Sequence, residues 1–242
     1  MKLRKRNKSV KLITYVITAV TLIVAGFFAV SYIRQEDKLL AEIKLTHAAI
    51  DARDESKMDE ILGRTVGKNE YATVERAIKS YLKDSIGMEP EIYQTMHDEK
   101  LDNLLTAAHI ATDQDNFETD LKYLDEIDTK ENDFRLQYDK VFSADGAAKY
   151  LNSDGLNTKY KQIFNDEVAT NLEKEKKTNT IGLKLDDLKS MVKLSRIAIN
   201  LLHDNPNGWS IQDEKIVFSS STNQKQYTAI AEEIQIIVAD QP

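Results

Sequence analysis

The chain has 242 residues and no cysteine, which excludes disulfide bonds, a thiol nucleophile and a lipid attached through a cysteine. Proline and glycine are scarce, with three and eight copies respectively. A strand-rich sandwich needs turn residues about every ten positions. The scarcity of both therefore favours long helices, in a chain long enough to bury a substantial core.

Sequence motifs for common catalytic chemistries are also absent. The chain contains no glycine-rich phosphate-binding loop and no G-x-S-x-G nucleophile turn. Its four histidines, His47, His97, His109 and His203, are scattered, and no two are three or four positions apart as on one face of a metal-binding helix. The sequence therefore assigns no catalytic, cofactor-binding or metal-ligating residue.

One acidic stretch, DQDNFETD, begins like a calcium-binding loop at Asp113 and Asp115. The pattern then fails, because its fifth, sixth and twelfth positions hold Phe117, Glu118 and Leu124 instead of a ligand, a glycine and a bidentate carboxylate. We interpret the stretch as a loop whose last residues cap the following helix.

Positive charge is concentrated at the start of the chain. Residues 1–33 hold six Lys or Arg and no acid, whereas the remainder holds 27 basic and 40 acidic side chains. Residues 12–33 carry no charge, and a helix of that length would reach about 33 Å, enough to cross the ~30 Å hydrocarbon core of a bilayer. We predict a transmembrane signal-anchor there, in contact with lipid. The acidic remainder argues against a nucleic-acid partner.

The alternative for this segment is a cleaved secretory leader, since Ala29, Val30 and Ser31 offer small residues at the spacing of a cleavage site. The uncharged run is longer than the ~7–15 apolar residues of most leaders, which favours retention over removal of residues 1–31. The positive-inside rule leaves residues 1–11 as a basic cytoplasmic tail and exports residues 34–242 in either case.

Residues 34–242 are predicted to form one extracytoplasmic bundle of helices. The first helix, 35–53, would bury a stripe of Leu39, Leu40, Ile43, His47 and Ile50. A short helix capped by Asp54 follows, and another opens at Asn69 and stops at Gly87, before a new first turn at Pro90. Residues 91–110 are predicted to form one or two short helices.

The second half is predicted to contain helices at 116–142, at 156 to about 170, and along 171–205, where Gly182 would weaken or break the last one. Alternating apolar residues then indicate a small β-hairpin at about 209–218, with the single Trp209 covering one end of the bundle. Thr222 would cap a final amphipathic helix. The predicted fold class is mainly α.

Four stretches, HAAIDARDESKMDEILG, ERAIKSYLKD, DEKLDNLL and NGWSIQDEKIVF, together with the basic tail and the apolar run, carry a resemblance. The chain resembles uncharacterised single-pass membrane proteins of Gram-positive bacteria that have a helical extracytoplasmic domain. The resemblance implies a cell-envelope setting and no particular activity, so no residue role is transferred.

These features favour a membrane-anchored factor of the cell envelope that acts by binding another envelope protein. The first alternative is a sensor that binds a small molecule or peptide between helices, near Trp209. A hydrolase built from dispersed residues is the remaining alternative, although no constellation in the sequence supports it.

Overall fold

A computed structural model of the chain describes residues 34–112 and 117–239. The predicted tail 1–11, the predicted membrane segment 12–33 and the calcium-like residues Asp113 and Asp115 lie outside these ranges. Within the described ranges, no helix combines the length and the apolar character needed to cross a bilayer.

The described residues are mainly helical and include one two-stranded antiparallel hairpin, which confirms the predicted fold class at that level. The first helix, α1, covers residues 34–51. The following elements are α2 (Glu55–Gly63), α3 (Glu70–Met96), α4 (Glu99–Asn103), α5 (Ala107–Thr112), α6 (Phe117–Phe142), α7 (Ala144–Ala148), α8 (Thr158–Thr178), α9 (Thr180–His203), β1 (Trp209–Gln212), β2 (Lys215–Phe218) and α10 (Ser221–Ala239).

The chain divides into two compact units. One comprises the residues up to Ser80 together with Leu151–Asp166, and the other comprises Tyr81–Tyr150 together with the residues from Glu167 onward. The first unit therefore holds α1, α2 and the beginnings of α3 and α8, and the second holds the remaining elements.

In the first unit, α1 buries Leu39 as predicted, but the other predicted residues Ile43, His47 and Ile50 are only half-buried. Its buried residues are Leu39, Glu42, Thr46 and Ala49, whereas Leu40 is 49% exposed. The spacing is helical, as expected, but two of the four positions are polar. Hydrophobicity alone does not predict the burial of Glu42, because its charged partners lie more than twenty residues away in sequence.

The helix predicted to stop at Gly87 instead continues to Met96, with Pro90 inside it. Proline removes one backbone donor and crowds the preceding turn. The apolar stripe nevertheless runs straight through it, because Met88, Ile92 and Met96 are fully buried. Tertiary packing thus outweighs the local cost of the two helix-breaking residues.

The second unit is organised around α9, which packs against α6 and α10. Arg135, late in α6, pairs with Asp186 near the start of α9, and Arg196, late in α9, pairs with Asp125 early in α6. These pairings show that the two helices run antiparallel. The core along α9 is apolar, with the fully buried residues Leu185, Leu188, Ala198, Ile199 and Leu202.

The break between α8 and α9 lies at Asn179 and not at Gly182, which is inside α9. Asn179 adopts a left-handed φ of 47°, a conformation that asparagine tolerates better than most residues. The buried carboxylate of Glu175 then accepts hydrogen bonds from the backbone N–H groups of Ile181 and Gly182, at 3.0 and 3.2 Å. A Cβ on Gly182 would lie 2.2 Å from Asn179 Oδ1, so the Asn179 side chain would have to move to accommodate it.

The hairpin confirms the prediction from alternation. Trp209 lies opposite Phe218 and Ile211 opposite Ile216, and Asp213 and Glu214, which form the two-residue turn, both have positive φ as a type I′ turn requires. The final helix begins one residue before the predicted cap Thr222. The hydroxyl of Ser220 accepts from the N–H of Asn223 at 3.4 Å instead.

Candidate functional site

An open apolar groove lies in the second unit, at the end of α10. We call it the terminal groove. Its volume is about 340 Å³, and α4, the turn after it, α9 and α10 line it. Most lining side chains are apolar: Leu101, Leu105, Met191, Ile234, Val238 and Ala239. Three polar residues complete the lining: Asp102, Ser195 and Gln235.

The groove arises because α10 packs firmly only over its first half. Tyr227 and Ile230 are buried, and the Tyr227 hydroxyl donates to the carbonyl of Leu105 at 3.0 Å, which fixes α10 beside the segment after α4. Beyond Ile230 every apolar residue of α10 retains solvent exposure, and Ile236 is 61% exposed. The last two turns of α10 thus present apolar side chains that the described residues do not fully cover.

Sequence periodicity missed this site, although one signal was available. Residues 234–238 read IQIIV, and four apolar residues in five positions exceed what one buried stripe of a helix accommodates. Apolar residues in excess of one buried stripe must lie on the exposed face of the helix, where they can contact another molecule.

A second, polar hollow of about 440 Å³ lies between the end of α3 and the middle of α6. Glu91, Asp98, Lys130, Asp133 and Phe134 are among its lining residues. Asp98 caps α4 by accepting from the N–H of Lys100 and also accepts from the Tyr123 hydroxyl, which lowers the pKa of the Asp98 carboxyl. Its carboxylate is therefore already engaged in holding α4, and the hollow presents charged groups of both signs beside Phe134.

A third cluster lies inside the first unit and is ionic. Lys79 Nζ lies 2.8 Å from both Glu42 Oε1 and Glu75 Oε1, and Arg64 makes two hydrogen bonds to Glu42, at 2.8 and 2.9 Å. Hydrogen bonds from Arg64, followed by those from Lys79, lower the pKa of Glu42 against the opposing effect of burial. Glu75 also accepts from the N–H of Gly67 at 2.7 Å, so the cluster fixes the loop between α2 and α3.

This ionic cluster is structural in its geometry. Glu42, Glu75 and Lys79 are each at most 5% exposed, whereas the Arg64 side chain is 39% exposed and covers Glu42 from the solvent side. The cluster connects α1, α3 and the loop between α2 and α3 within the first unit.

The four histidines are not brought together. His109 Nε2 lies 2.9 Å from the buried carboxylate of Asp120, His203 Nδ1 lies 3.1 Å from Asp204, and the ring of His97 packs on Tyr93. His47 is half-buried on α1. Across residues 34–112 and 117–239, no group of three or more His, Asp or Glu is arranged to hold a metal ion.

Trp209 lines neither the terminal groove nor the polar hollow between α3 and α6. Its indole N–H donates to the carbonyl of Leu202 at 3.0 Å, and its ring lies edge-to-face with Phe117, the centroids being 6.3 Å apart. Trp209 therefore joins the hairpin to the end of α9, which agrees with a packing role. It gives no support to a ligand pocket beside it.

Comparison with known proteins supplies no relative: no family model, no curated protein and no solved structure matches the chain.

Proposed function

We propose that this protein is a membrane-anchored interaction factor of the cell envelope, whose residues 34–242 bind another envelope protein through the terminal groove. The observation that carries the proposal is the groove itself, which is open and mainly apolar. Binding sites for ligands and peptide segments are typically concave and mainly apolar, with a few polar groups at their edges.

The cellular setting in the proposal derives from the sequence. The basic residues 1–11 and the uncharged run 12–33 favour a single-pass anchor with the N-terminus in the cytoplasm and the C-terminal domain outside. An anchored domain works close to the membrane, where a modest affinity is enough because the effective concentration of neighbouring membrane proteins is high.

The orientation is tested with epitope tags at both ends of the full-length chain and protease added to intact cells. We expect the C-terminal tag to be lost and the N-terminal tag to be protected until the membrane is permeabilised. A C-terminal tag that survives while a known surface protein is digested would refute the exported orientation.

Binding through the groove is tested in the same cells with a photo-crosslinking amino acid placed at Gln235, which lines the groove, or at Gln226. These two exposed residues are nine positions apart on α10, so they lie on opposite sides of the helix. We expect one discrete adduct from position 235 and none from position 226. Equal adducts from both positions, or none from either, would refute a specific partner at the groove.

A further inference from the structure

The charge around the terminal groove is acidic. Asp102 lines it, and Glu99, which is also exposed, lies three positions earlier on the same face of α4. On α10, the exposed Glu232 lies three positions before the lining residue Gln235. Carboxylates therefore flank the apolar floor on two of its sides.

The nearest cation on α4 does not neutralise this border. Lys100 Nζ lies 4.4 Å from the centroid of the Tyr123 ring and 3.9 Å from Asp120 Oδ1, so its charge is directed toward α6. No basic side chain is among the residues that line the groove. The wider surface has the same sign, since residues 34–242 hold 27 basic and 40 acidic side chains.

The size of the groove limits what can enter it. At about 340 Å³ it is at the small end of the range of about 300–1,000 Å³ typical of ligand pockets. A whole helix does not fit inside, but two apolar side chains projecting from one face of a docked helix do, and spacings of three or four residues present them together.

From the apolar floor, the acidic border and the volume of the groove, we propose that the terminal groove binds a cationic amphipathic helix of another protein. Two apolar side chains of that helix would enter the groove, and its flanking Lys or Arg residues would lie beside Glu99, Asp102 and Glu232. The inference rests on the proposed function and specifies its partner. A second copy of this chain and an anionic lipid surface both fit less well, because each would bring negative charge to an acidic border.

The probe is a fluorescein-labelled 18-residue helix with leucine on one face and lysine on the other, and its matched control carries glutamate in place of lysine. Both are titrated against the full-length chain in phosphatidylcholine nanodiscs, with empty nanodiscs as background, and anisotropy is measured. We expect the lysine peptide to bind at least about tenfold more tightly than the glutamate peptide, and the difference to shrink in high salt.

Two variants separate the contributions of the floor and the border. Val238→Asp places a charge in the apolar floor at the last turn of α10. It should lower the affinity for the lysine peptide about tenfold or more. Asp102→Lys reverses an exposed border charge without disturbing the core and should weaken it about fivefold. Glu126→Lys, an exposed reversal on α6, is the matched control and should leave the affinity within about twofold.

Equal affinity for the lysine and glutamate peptides would overturn the proposal, as would affinity that neither groove variant changes. A self-association or a binding to phosphatidylglycerol vesicles that Val238→Asp abolishes would assign the groove to a second copy or to lipid, and would overturn it also. If the protease experiment fails while the peptide discrimination holds, the error lies in the cellular setting. If the reverse occurs, the error lies in the partner class.

Discussion

The two units bury charge in different ways. In the first unit, the buried charged residues Glu42, Glu75 and Lys79 form one connected cluster with Arg64. In the second unit, the buried charged residues do not form one cluster, and each has a different partner. They are Asp120, Glu131, Glu175 and Lys184. Loss of one member should therefore be costly in the first unit and limited in the second.

The largest effect is expected from Lys79→Met. Removing this cation leaves Glu42 and Glu75 buried with reduced compensation, and breaking a buried ion pair typically costs about 3–5 kcal/mol. The free energy of unfolding of the purified full-length chain, measured by urea titration, should fall by about that amount. Lys83→Met, an exposed change one turn further along α3, should cost less than about 0.5 kcal/mol. Equal losses would show that the cluster contributes no stability.

In the second unit, the corresponding large effect should come from an apolar residue. Leu188→Ala on α9 removes a fully buried side chain and leaves a cavity, which costs about 2–5 kcal/mol. The same change at Leu183, which is 53% exposed on the same helix, should cost less than about 0.5 kcal/mol. Urea titration of both variants tests this, and a cost at Leu183 that matched the cost at Leu188 would refute the apolar core described for α9.

A smaller effect is expected from Glu175→Ala. The change removes the carboxylate that accepts from two N–H groups at the start of α9, and the loss of such a cap costs about 0.5–2 kcal/mol. Glu173→Ala, which removes an exposed i,i+4 partner of Lys177 on the same helix, should cost at most about 0.5 kcal/mol. Thermal unfolding followed by circular dichroism compares them, and a larger shift for Glu173→Ala would contradict the capping role.

The smallest expected effect is a pH dependence. The folded-state pKa of Glu42 lies below its ordinary value of 4.5, chiefly because of the hydrogen bond to Arg64. The unfolded state therefore takes up a proton first as pH falls, so this contribution to stability is present above about pH 4.5 and is lost as pH falls through the folded pKa. Urea titrations from pH 7 to 3 should show a shallower decline for Glu42→Gln than for the unsubstituted chain. Parallel curves would contradict the assignment.

Features encoded over short distances could be predicted from the sequence. The hairpin follows from alternation around the two-residue turn Asp213–Glu214, and α2 begins after Asp54, whose carboxylate accepts from the N–H of Lys57 at 3.0 Å. In both cases the residues that decide the structure lie within a few positions of each other, so local patterns are sufficient.

Features that depend on distant partners could not be predicted. Glu42 was not expected in the core because Lys79, which compensates its charge, lies 37 positions away. The sequence predicts a helix start at Pro90, whereas Pro90 lies inside α3 because tertiary packing buries Met88, Ile92 and Met96 on either side of it. The break between α8 and α9 fell at Asn179 because a buried carboxylate there supplies the cap. The terminal groove was missed for the same kind of reason, since it consists of what three helices leave uncovered.

The attachment of Trp209 to the carbonyl of Leu202 has a practical consequence for optical work on this protein. The chain contains a single tryptophan, so its intrinsic emission comes from one half-buried indole at the junction of the hairpin and α9. If the hairpin separates from α9, the indole exchanges a carbonyl acceptor for water, and the emission maximum moves to longer wavelength. Fluorescence thus offers a label-free record of whether this junction remains closed.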